Sequence, residues 1–153
     1  MNRKEIDKLG GLHSAKIILY SVEFAEIENY QSSNQWEKCG EILGRAAKKL
    51  EDAGADFILI CSNTIHKVTS QIASMIQIPV VHIADATADE LKTCHIKRVG
   101  LLGTRYTIKG AEGVILGCTE IGLLIHQSDV YVPVFDTTVI HAKKAVQIAL
   151  TDS

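Results

Sequence analysis

The chain has 153 residues, of which 46% are hydrophobic, 22% charged and 5% aromatic, with a formal net charge of −2. That is enough for one ordinary domain with a buried core, and a near-neutral charge without a basic stripe argues against nucleic acid or an anionic membrane as partner. No apolar run approaches the roughly 20 residues of a membrane span, and the polar start MNRKEIDK is no secretory leader, so a cytoplasmic chain is the expectation.

Residues 16–22 (KIILYSV) read as a strand, followed over 23–33 by polar turn formers and one short amphipathic stretch. Over 34–53 the apolar positions Trp36, Cys39, Ile42, Leu43, Ala46, Ala47 and Leu50 recur at helical spacing. Asn34 and Glu37 are spaced as a capping box, and Gly54 suits the C-terminal cap. Residues 57–60 predict a short buried strand ending at Cys61, then a helix over 63–76 with Ile65, Val68, Ile72, Met75 and Ile76 inward. A strand over 79–83 and a helix over 84–93 follow. Strands over 99–103, over 114–117 ending at Cys118, and over 132–135 precede a last helix to Leu150 that Asp136 can cap. Strands rich in Ile, Leu and Val alternating with helices predict an α/β fold with mainly parallel sheets.

The informative feature is an internal repeat. Residues 54–64 (GADFILICSNT) match residues 110–120 (GAEGVILGCTE) after a one-residue gap before the cysteine, and IPVV at 78–81 is echoed by VPVF at 132–135. The unit strand–Cys–helix–strand therefore occurs twice. A lone cysteine is more often a packed core residue. Here each cysteine ends a strand of a parallel sheet, where such folds place their ligands. Each also precedes a predicted helix N-terminus, which favours a thiolate and can hold a carboxylate, and each is followed by small polar residues. The other two cysteines read as structural: Cys39 on an apolar helix face, and Cys94 beside His95. With no CxxC spacing and no leader, all four are read as free thiols.

Two repeated halves facing each other across a pseudo-twofold axis would put one cysteine on each side of a single substrate. Racemisation needs that geometry: one thiolate removes the α-proton from one face and the other thiol delivers a proton to the opposite face. Asn63, Thr64 and Thr119, with the backbone amides after each cysteine, are the candidate donors to a substrate carboxylate. Glu120 can accept from its ammonium, or simply favour a helix N-terminus as a first-turn carboxylate. A metal site built from His66, His82, His126 and His141 is disfavoured because none is spaced as a ligand pair, and Gly100 and Gly103 form only a fragment of a phosphate loop.

Cys61-Ser62-Asn63-Thr64 and Gly117-Cys118-Thr119-Glu120 resemble the paired cysteine motifs of the aspartate/glutamate racemase family, the second in the form carried by its aspartate and broad-specificity branch. The glutamate-racemase branch has His where this chain has Glu120. The resemblance extends to GGLHSA at 10–15, SVEF at 21–24, HIADAT at 82–87, LLGTRYT at 101–107 and PVFDT at 133–137. It implies two related three-layer (αβα) halves with the active site between them, commonly a homodimer, needing no metal and no pyridoxal phosphate. Cys61 and Cys118 then correspond to the two acid/base cysteines, Asn63, Thr64, Thr119 and Glu120 to substrate contacts, and Gln31 to a contact with the substrate side chain. Aspartate, glutamate and neutral amino acids all remain open as substrates, because Arg105 is the one basic candidate for a distal carboxylate and can equally cap the sheet edge.

The first half is expected at 1–97 without the family's first strand and loop. The second is expected at 98–153, abbreviated between Thr107 and Gly110, with its last helix packing on the first half. Ten residues, 104–113, separate two strands expected to run parallel, where a crossover ordinarily takes about a dozen or more. Low stability and weak activity follow as expectations. Two alternatives stand beside racemisation: an inactive relative that holds an amino acid, and a two-cysteine isomerase or decarboxylase of the same superfamily.

Overall fold

The computed structural model describes residues 12–102 and 110–151. They form two compact units: Lys16–Ile60 with Thr64–Val81, and Cys61–Asn63 with the chain from His82 onward. The fold is α/β with parallel sheets.

The first unit contains α1 (Phe24–Ser32), α2 (Trp36–Asp52), β1 (Ile58–Leu59), a 3-10 turn (Thr64–Val68), α3 (Thr69–Ala73) and β2 (Val80–Val81). Helix α1 stands where the sequence suggested turns; Glu23 caps it, its Oε1 accepting from Ala25 N–H, and Ile27 is buried. Helix α2 forms on the predicted stripe and starts two residues later than expected. Asn34 adopts φ +58°, and its Oδ1 accepts from Trp36 Nε1 at 2.9 Å, so Gln35 takes the cap position and the expected capping box does not form. Residues 16–22 are not a strand. They make no ladder with any described strand, and Ile17 and Leu19 are 58% and 82% exposed. An apolar run predicts burial, but a strand also needs a neighbour's backbone groups.

The helix expected over 63–76 breaks at Val68, where Thr69 Oγ1 donates to the His66 carbonyl and α3 begins. Its inward positions hold all the same. Ile65, Val68, Ile72 and Ile76 are buried with Cys39, Ala47 and Ile58, while Met75 is exposed over Gly44. Each fully buried aliphatic side chain contributes about 1.5–3 kcal/mol relative to exposure.

The second unit contains α4 (Ile83–Thr93), β3 (Val99–Leu102), β4 (Gly113–Leu116), α5 (Ile121–Leu124), a 3-10 turn (Gln127–Asp129), β5 (Val134–Asp136) and α6 (Thr137–Thr151). The sheet order is β3-β4-β5, all parallel. Strands β3 and β4 pair side by side, Val99 opposite Gly113, across the short link that the sequence made questionable. Glu112 fastens that pairing: its backbone donates to the Arg98 carbonyl, and its carboxylate accepts from Lys97 N–H and Arg98 Nε. Helix α6 packs on α4, with Ala86, Phe135 and Ile140 in the core between them and the sheet. No helix among the described residues is long and apolar enough to cross a membrane.

The repeat persists at the level of single bonds. Gly54 and Gly110 both have positive φ, +90° and +80°, a conformation that glycine adopts without a side-chain penalty. Ile58 N–H donates to the Pro79 carbonyl at 2.8 Å and Val114 N–H to the Pro133 carbonyl at 2.9 Å. Ile58 then pairs with Val80, and Val114 with Val134. After each second strand comes a helix cap: His82 Nδ1 accepts from Ala84 N–H, and Asp136 Oδ1 accepts from Thr138 N–H.

In the first unit Glu51 ties the end of α2 to the turn before β2, accepting from Gln77 N–H at 2.6 Å and Ile78 N–H at 3.0 Å and pairing with Lys48 at 2.6 Å. The Lys48 ammonium, then the Gln77 amide, hold its carboxyl below the ordinary 4.5. A carboxyl whose pKa is lowered by folding stabilises the fold above its unfolded pKa and loses that contribution as pH falls through its folded value. Glu51→Gln should therefore lower the urea midpoint at neutral pH, and the gap from the parent should close progressively below pH 4.5. A gap that is constant with pH would show that the carboxylate charge is not what holds the turn.

Candidate active site

Cys61 lies just beyond β1 and is exposed; Cys118 lies beyond β4 and is half-buried. Cys61–Asn63 belongs to the same compact unit as Cys118, and one hydroxyl links the two segments. Thr137 Oγ1 donates to the Leu116 carbonyl at 2.8 Å and accepts from Asn63 Nδ2 at 3.2 Å. Leu116 ends β4, two residues before Cys118; Asn63 is two residues after Cys61. Asp136, one residue before Thr137, caps α6 through the amides of Thr138 and Val139.

Glu120 folds back over its own turn. Cys118 Sγ donates to Glu120 Oε2 at 2.7 Å and Thr119 Oγ1 donates to the same oxygen at 2.9 Å. The hydrogen bond from the Cys118 thiol, with lesser help from its own backbone amide and Thr119, holds the Glu120 carboxyl below the usual carboxylate value. Its side chain makes no cap bond to α5, at whose N-terminus it stands. Gly117 accounts for the one-residue gap in the repeat. Its N–H continues the ladder to the Leu102 carbonyl at 2.9 Å, and a Cβ there would lie 2.8 Å from Leu101 Cδ1.

One expectation changes. The helices after the cysteines are short, a 3-10 turn at Thr64–Val68 and the four-residue α5, so neither thiol faces the end of a long helix dipole. Gln31 on α1 and Thr64 at the start of its 3-10 turn both belong to the other compact unit. Arg105 lies outside the described residues. Of the histidines, His82 and His126 cap helical turns, while His66 and His141 are buried. Among the described residues no three His, Cys, Asp or Glu side chains converge as a metal-ligand set. Sequence reasoning gave Thr137 no role. The available signal was a hydroxyl residue directly after the Asp136 cap, where the first repeat has Ile83.

Residues 3–110 match the Asp/Glu/hydantoin racemase family. Over 65 residues the chain is 37% identical to the broad specificity amino-acid racemase RacX of Bacillus subtilis (strain 168), a match covering 42% of this chain and 28% of that protein's length. A crystal structure of a candidate Asp/Glu racemase from Yersinia pestis superposes with a TM-score of 0.91 at 38% identity, covering 97% of this chain and 90% of that one. An aspartate racemase homologue from Pyrococcus horikoshii OT3 superposes with a TM-score of 0.85 at 30% identity, covering 97% and 91%.

The four thiols differ in access. Cys39 is fully buried, its Sγ near the Ile27 carbonyl, and burial pushes its pKa up against a smaller opposing effect of its own backbone amide. Alkylation requires both contact and thiolate. Brief iodoacetamide treatment of the folded protein should therefore modify Cys61 and Cys94 and spare Cys39 until denaturant is added. Peptide mass spectrometry reads this directly, and early labelling of Cys39 would mean that the first unit's core opens readily.

Proposed function

The chain belongs to the Asp/Glu/hydantoin racemase family, and from that premise we propose that it is a cofactor-independent, cytoplasmic amino-acid racemase using Cys61 and Cys118 as its two acid/base groups. The observation that carries this reading is the duplicated strand–cysteine unit, in which both cysteines leave strands of equivalent register, each held by the same bond to a proline carbonyl.

In the proposed reaction one sulfur, as thiolate, takes the α-proton. The C–H electron pair moves into the carboxylate to give an enediolate. The opposite thiol then protonates the α-carbon on its other face, and the two sulfurs have exchanged protonation states. Solvent restores them. Cys118 donates its thiol hydrogen to Glu120 at 2.7 Å. Asn63, Thr64 and Thr119, with the backbone amides after each cysteine, would receive the substrate carboxylate, where negative charge gathers. Glu120 would take the ammonium, and Gln31 the side chain. Names of the similar proteins favour acidic or broadly varied α-amino acids as the substrate class.

The test is α-proton exchange in deuterated water across L- and D-amino acids, for the parent and for Cys61→Ser and Cys118→Ser. Each substitution removes one positioned acid/base and should slow exchange by about a hundredfold or more. A folded parent that binds an amino acid without exchanging its α-proton would make this chain a non-catalytic binder.

A further inference from the structure

We propose that Thr137 is a positioning residue for the two-thiol site, its hydroxyl, anchored on the Leu116 carbonyl, setting the Asn63 amide. The inference rests on the two-thiol reading above.

A threonine hydroxyl has a single hydrogen. Two acceptors lie within reach, the Leu116 carbonyl at 2.8 Å and Asn63 Oδ1 at 3.5 Å; the nearer takes the hydrogen, so the hydroxyl receives Asn63 Nδ2, at 3.2 Å, on a lone pair. That choice fixes which way the Asn63 amide faces: one N–H is spent on Thr137 and the other is left to meet a substrate carboxylate. Thr137 is 5% exposed, so water does not readily replace it in either bond.

Three competing explanations for the hydroxyl are answered by the structure. Packing does not need it, because the equivalent place in the first repeat is filled by Ile83, also β-branched and 6% exposed. Helix capping does not need it, because Asp136 already receives the amides of Thr138 and Val139. Satisfying the buried Leu116 carbonyl accounts for the donated proton and leaves the bond from Asn63 unexplained. The repeat also supplies a contrast. Asn63 aligns with Glu120, and with Ile83 opposite Thr137 the first repeat has no matching hydroxyl; Glu120 turns to Cys118 instead.

The test compares Thr137→Val, which keeps the branched shape and removes the hydroxyl, with Thr137→Ser, which restores it, and places both beside Asn63→Ala and the Asn63→Ala/Thr137→Val double variant. With exchange measured per folded protein, Thr137→Val should lower kcat/KM by about tenfold to a hundredfold, as misplacement without loss of a reacting group does. Thr137→Ser should recover most of that loss. The double variant should be no worse than Asn63→Ala alone, because Thr137 acts through Asn63. Parent-like turnover in Thr137→Val, or losses that multiply in the double variant, would overturn the proposal. If the parent shows no exchange, the two-thiol reading fails and iodoacetamide rates against pH decide the positioning role alone. An altered profile at Cys61 in Thr137→Val, restored in Thr137→Ser with Cys94 constant, supports it; an unaltered profile overturns it.

Discussion

The candidate site depends on where two short ladders start. In each repeat an amide near the start of the first strand donates to a proline carbonyl, Ile58 to Pro79 and Val114 to Pro133. Proline has no N–H of its own, so it suits the first position of a strand and marks where pairing begins. From that start the register follows residue by residue, and it ends with Leu116 opposite Asp136. The cysteine turn after β4 is thereby set beside the first turn of α6. A slip of one residue would reverse which side chains face the core. Leu116, 1% exposed, would leave it if β4 slipped, and Phe135, 5% exposed, if β5 did.

Upon this shared frame the two repeats diverge at a few positions. His82 and Asp136 perform the same capping with different chemistry. Ile83 and Thr137 share a branched shape and differ in one hydroxyl. Asn63 is neutral and turned to Thr137, whereas Glu120 is charged and turned to Cys118. Gly117 inserts one residue that the first repeat lacks, and its amide is used by β3. Among the described residues β1 pairs with β2 alone. The extra residue thus goes with the extra strand: the backbone has one more ladder bond to make before the cysteine can leave the sheet.

The parts of this arrangement written in local chemistry were legible in the sequence. The stripe of α2, the caps at Gly54 and Asp136, the parallel strands around each proline and the duplicated cysteine unit all came from spacing and residue type. What failed required partners distant in the chain. Residues 16–22 have a strand's composition and no described strand to pair with. The run from Ile65 to Ile76 keeps a helical burial pattern, yet hydrogen bonding breaks it at Val68, because periodicity reports which face is buried and not whether the turns are 3-10 or α. The Asn63–Thr137 contact joins residues 74 apart. No single-sequence pattern encodes it, although the difference between Ile83 and Thr137 was visible once the repeats were aligned.

These divergences give the two cysteine turns different surroundings. A helix of four residues supplies little dipole, so the setting of Cys118 comes from its neighbours rather than from α5. Its nearest acceptor is a carboxylate at 2.7 Å. Cys61 is followed by an amide already held by Thr137, which adds no charge to its turn. The duplicated frame therefore provides two thiols on equivalent strand ends, and the departures from repetition give them unequal surroundings. The proposed two-base reaction needs each sulfur to take either role in turn, one as thiolate while the other is thiol. On the proposed reading Glu120 and Thr137, the positions at which the repeat is broken, distinguish two thiols that the repeat otherwise makes alike.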